Sequence, residues 1–167
     1  MLSDATVARL VQQLMIMRII HAGLAFGVLA FAVVSLVLGG GELKPVSSSI
    51  DWMMAGIGLL FGVAGWLVPR LIPLPNPPAA ADEKGQALSV AVGYQTALII
   101  GCAMLEGGAI ANLSRYYTDH IALNLAVAGA LWLGLLIQFP RRGTFLDYVE
   151  RWLRDWREQQ ALTAPQR

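Results

Sequence analysis

Glu106 lies inside an apolar run, 87–113, between Cys102-Ala103-Met104-Leu105 and Gly107-Gly108-Ala109-Ile110. A carboxyl in such a place can hold a proton, accept a hydrogen bond or take a small cation such as Na⁺. Desolvation penalises its charged form, and an ionisable group at membrane depth points by default to function. At 100° per residue, Gln95, Ile99, Cys102, Glu106 and Ile110 fall on one side of the helix. Gly93, Ala97, Gly101 and Gly108 fall nearly opposite. Glu106 and Gln95 are thus the candidate ion-binding side chains, and the glycine–alanine face is the candidate packing face.

Counting from the middle of the run at about 1.5 Å per residue puts Glu106 roughly 9 Å to the outer side of the midplane. The same count on the first apolar run puts His21 about 10 Å to the inner side. A direct Glu106–His21 pair is excluded on that count, and Gln95, at a similar inner depth, is the expected neighbour of His21. Arg18 and His21 share a face, where anchoring at an interface accounts for both.

No other grouping suggests chemistry. Two histidines and one cysteine are scattered along the chain, so no metal-ligand cluster forms. Serine, histidine and acid residues lie too far apart in depth for a triad, and no glycine-rich phosphate loop precedes a helix. His120 follows Asp119, but a capping role explains that acid. The chain is expected to be no enzyme and to carry no cofactor and no metal.

The elements that position these residues follow from composition. The chain has 167 residues, 56% hydrophobic and 14% charged, where a soluble domain carries about a quarter charged. Four apolar runs, 15–39, 52–74, 87–113 and 121–139, are each long enough to cross a bilayer as a helix. The expected fold is an all-α integral membrane four-helix bundle of two antiparallel hairpins. It occupies 1–140 and is followed by a cytoplasmic amphipathic helix and tail, 141–167. With both termini inside, Arg9, Arg18, Arg70, Lys84, Arg141, Arg142, Arg151, Arg154, Arg157 and Arg167 face the cytoplasm, against only Lys44 and Arg115 outside. The positive-inside bias gives N-in, C-in in a bacterial inner membrane.

Segments between the runs read as follows. Ser3 and Asp4 offer an N-cap to a helix that either lies at the interface or runs into the first span. The outer loop 40–51 has ordinary turn residues, and the proline-bearing loop 73–86 is an extended spacer. Residues 114–119 form a short turn in which Thr118 or Asp119 caps the fourth helix. Thr144 and Asp147 resemble a capping box for the last helix. There Phe145, Val149, Trp152, Leu153 and Trp156 share a face, with Asp147/Arg151 and Glu150/Arg154 as i,i+4 pairs. Arg141, Arg142, Trp152 and Trp156 are the expected anchors on the cytoplasmic leaflet. Acids nearly balance bases in this helix, so no nucleic-acid site is expected.

Every span carries small residues at contact spacing: Gly23 and Gly27; Ala55, Gly58, Gly62 and Gly65; Ala126, Ala130 and Gly134. In lipid such seams let backbones approach. They point to tight packing within the chain, to a homo-oligomer, or to other membrane subunits.

The run Gln95 to Glu106 resembles the carboxylate helix of rotary ATP synthase c-subunits, which implies Glu106 as an ion-carrying carboxylate. Four spans instead of two, and the lack of a glycine-repeat helix, set the chain apart from them. Leu105-Glu106-Gly107, Ala109, Asn112-Leu113, Phe139-Pro140 and Trp152 are similar to an uncharacterised family of small bacterial four-helix membrane proteins. The resulting expectation is a structural or accessory subunit of a larger membrane assembly. The alternative is a proteolipid-like protein exchanging H⁺ or Na⁺ at Glu106.

Overall fold

The computed structural model describes residues 2–73, 76–78 and 81–163. Five helices account for the fold: α1 (Asp4–Gly39), α2 (Ser49–Leu71), α3 (Glu83–Asp119), α4 (Ala122–Ile137) and α5 (Arg142–Thr163). No strand occurs among the described residues; Lys44 and Ile121 form one isolated bridge. α1, α2 and α3 are long and apolar enough to cross a membrane, and a fourth span results if α4 and α5 are counted together.

Local chemistry sets the ends. α1 has no proline and runs unbroken from Asp4, which decides between the two readings of the N-terminal segment. It stops at Gly39-Gly40-Gly41, where Gly40 has φ +51°, the left-handed conformation in which helices commonly end. α2 opens with a capping box in which Ser48 accepts from the Asp51 amide and Asp51 accepts from the Ser48 amide. α3 begins inside the expected spacer, with the Asp82 carboxylate accepting from the Gly85 amide at 2.8 Å.

Three expected boundaries are corrected. Residues 114–119 continue α3, because Ser114 and Thr118 return their hydroxyls to the carbonyls of Ile110 and Ser114. Arg115 and Asp119 pair one turn apart, so polar groups that read as a turn are satisfied within the helix. Neither Thr118 nor Asp119 caps α4; its N-cap is Ile121, with no side-chain bond. α5 begins at Arg142, so Thr144 lies inside it and caps nothing.

The chain divides into two compact units. Unit 1 comprises Met1–Arg18, Pro73–Thr96 and Pro140–Arg167. Its core joins Leu10, Leu14 and Met17 of α1, Ala87, Val90 and Ala91 of α3, and Phe145, Val149 and Leu153 of α5. The leaflet-lying face expected of α5 is therefore corrected. Phe145 and Val149 are fully buried in protein, Leu153 and Trp156 nearly so, and Trp152 packs against the same core. Arg141 and Arg142 stay exposed. The cause is the length of α1 and α3, which bring apolar faces of their own to meet α5. A boundary at residue 140 thus separates segments that the structure joins. Along α5, Arg151 donates to the backbone carbonyl of Asp147, and Arg154 lies 3.8 Å from Asp155.

Unit 2 comprises Ile19–Ile72 and Ala97–Phe139. Here α3 packs on α2 through glycine. A Cβ on Gly101 would lie 2.5 Å from the Gly65 carbonyl oxygen and 2.6 Å from Pro69 Cγ. A Cβ on Gly58 would lie 2.2 Å from Asn112 Nδ2, and one on Gly62 2.8 Å from a Leu131 methyl. Gly108 meets Phe61 and Leu131. Gly101 and Gly108 thus make close contacts and Ala97 is buried, whereas Gly93 falls in unit 1 and is half-buried. Two expected seams are used only in part among the described residues, through Gly27, which meets Glu106, and Gly134, which meets Leu105. Gly23 has open space where its side chain would be, and Ala126 and Ala130 are exposed. α4 instead buries Asn124, Val127, Ala128, Leu131 and Leu135.

Candidate functional site

The face of α3 opposite its glycines packs on α1 within unit 2. Cys102 Sγ lies 3.3 Å from His21 Nδ1, and the Glu106 carboxylate lies against Gly27, where a Cβ would come 3.3 Å from Oε1. Gly27 is thus the residue that admits Glu106 between the two helices, so half of the expected Gly23/Gly27 seam serves a side chain instead of a backbone contact. Opposite faces of α3 hold different partners, α2 by close backbone approach and α1 by side chains.

His21 is buried at 2% exposure, and its Nε2 lies 2.6 Å from the Leu135 carbonyl oxygen. A carbonyl only accepts, so in the neutral ring Nε2 carries the hydrogen and Nδ1 offers its lone pair to the Cys102 thiol. Leu135 belongs to the last turn of α4, whose carbonyls have no intrahelical donor. His21 therefore closes the end of α4 from α1, and Phe139 stands edge-on to its ring at 5.3 Å. One turn further along α1, Trp132 Nε1 donates to the Ala25 carbonyl at 2.9 Å. The expected His21–Gln95 contact is corrected accordingly. In unit 1, Gln95 receives a hydrogen bond from Gln13, and Arg18 donates to the Pro140 carbonyl at 3.1 Å.

Glu106 itself is half-buried, and among the described residues no hydrogen bond or ion pair reaches it. Gln95 belongs to unit 1 and Glu106 to unit 2. No metal-holding group of three His, Cys, Asp or Glu occurs among the described residues. What the arrangement offers chemically is one carboxyl able to take or release a proton, one helical turn along α3 from a thiol that bonds a capped imidazole.

The strongest polar contact of unit 2 lies elsewhere, and the spacing of the sequence does not announce it. Asp51 is fully buried and accepts from Arg115 Nε at 3.1 Å and Nη2 at 2.9 Å. Its other oxygen accepts from the amides of Ser47 and Ser48. Arg115 and the serine amides supply the donors that this buried carboxylate needs. Asn112 and Asn124 are also fully buried, on α3 and α4. In sequence, a lone acid before an apolar run and a lone arginine after one were the available signal.

Comparison with protein-family models, curated proteins and solved structures gave no match.

Proposed function

We propose that this chain is a small polytopic inner-membrane protein that serves as a structural or accessory subunit of a larger membrane assembly. Unit 2 supplies the spans. Residues 19–39 and 97–119, together with α2, are each about 32–35 Å long as helices, matching a hydrocarbon core of about 30 Å. Arg9, Arg18, Lys84, Arg141, Arg142, Arg151, Arg154 and Arg157 then lie in the cytoplasm by the positive-inside rule. In that frame Glu106 stands about 3 Å from the midplane, nearer the centre than a count over 87–113 places it.

The outward face carries the reading. Phe26, Val37 and Leu60 are 69%, 71% and 66% exposed. Gly23, Gly56, Gly107 and Gly129 are exposed with nothing within 4 Å of a Cβ. A glycine inside a helix costs about 1 kcal/mol relative to alanine and gives nothing back within this chain. On a surface that meets lipid it admits another helix, from a second copy or a different subunit.

The missing partner of Glu106 favours a second reading, proteolipid-like exchange of H⁺ or Na⁺. Carbodiimide labelling in membranes, located by mass spectrometry over a pH series, separates the two. An accessory subunit gives Glu106 labelling that Na⁺ does not change, and a Glu106→Gln variant that folds and assembles as the wild type does. Labelling suppressed by Na⁺ replaces this reading with ion exchange.

A further inference from the structure

The turn between α3 and α4 is built on His120, a residue with φ +59°. Residues other than glycine are uncommon in that conformation, with histidine, asparagine and aspartate the more frequent among them, and strain of about 1–3 kcal/mol persists only where the surroundings enforce it. They do so here. The ring sits against Gly39 and Gly41 at the end of α1: a Cβ on Gly39 would lie 3.3 Å from its Cε1, and one on Gly41 2.5 Å from its Cδ2. Tyr116 stands edge-on at 5.9 Å. The backbone completes the closure, with the Lys44 amide donating to the His120 carbonyl at 2.9 Å and the Ala122 amide donating to the Lys44 carbonyl at 3.1 Å. His120 thereby joins the α1–α2 loop to the α3–α4 turn within unit 2.

Nδ1 of His120 is buried and has no hydrogen-bond partner. The titratable and charged groups around the cage are Glu42 and Lys44 in the loop and Arg115, Tyr116, Tyr117 and Asp119 on α3. Asp119 is paired with Arg115. A second ring N–H inside the cage would find no acceptor, and an unmet buried donor costs about 1–3 kcal/mol. Outside the cage, water accepts it.

We propose that His120 is a proton-operated clasp, closing the α1–α2 loop on the α3–α4 turn while its imidazole is neutral and releasing it on protonation. Hydrogen exchange on the full chain in nanodiscs tests this, read at the Lys44 and Ala122 amides and corrected for the intrinsic rate. Protection of both amides is expected to fall at least tenfold between pH 8 and pH 5 in the wild type. In Gly41→Ala, whose Cβ excludes the ring, protection is low at both pH values. In His120→Asn, which tolerates the same backbone and cannot take a proton, it is independent of pH. Equal pH response in wild type and His120→Asn overturns the proposal, as does full protection in Gly41→Ala.

Discussion

Replacing Gly101 by alanine is expected to destabilise the protein by about 1–3 kcal/mol, the cost of overpacking a close contact. The new methyl would overlap the Gly65 carbonyl and the Pro69 ring. Both are parts of α2 that cannot rotate aside as a flexible side chain would. Gly107, six residues on, provides the control. Nothing lies within 4 Å of its would-be Cβ, so Gly107→Ala should be neutral or stabilising by up to about 1 kcal/mol. Unfolding in mixed detergent micelles, followed by circular dichroism, compares the two. Equal effects would mean that α2 and α3 do not meet at Gly65 and Gly101.

Phe145→Ala should cost more, about 3–5 kcal/mol. The side chain is fully buried, packed in the core with Leu10, Leu14 and Val90 and 5.6 Å from the Tyr94 ring. Leu162→Ala, at a residue 86% exposed on the same helix, should change stability by no more than about 0.5 kcal/mol. The same micelle unfolding serves, with a second readout: protease cleavage after the α5 arginines should accelerate in Phe145→Ala alone. A helix lying on the leaflet would give little change in unfolding for either variant.

The helices were legible because apolar runs, glycine spacing and caps are local. The two-sided character of α3 was legible too, since 100° per residue sorts Gly101 and Gly108 from Cys102 and Glu106 without knowledge of any neighbour. Which neighbour each side meets was not. Gly27 reads as half of a GxxxG pair, yet it makes room for a carboxylate on another helix. The amphipathic pattern of α5 is the same whether its apolar face meets lipid or protein. Only the continuation of α1 and α3 beyond the length of a span shows that protein is available to cover it. Segment 114–119 misled because Ser114, Arg115, Thr118 and Asp119 are turn-formers by composition, whereas each finds its partner one helical turn away. The Asp51–Arg115 pair, between residues 64 apart, leaves no periodic trace at all.

The most direct test of the central claim is native mass spectrometry of the chain extracted in nanodiscs from its own membrane, without detergent. An accessory subunit is predicted to appear in a complex heavier than one chain and of the same composition for wild type and Glu106→Gln. A wild-type chain found only as a single copy would contradict it.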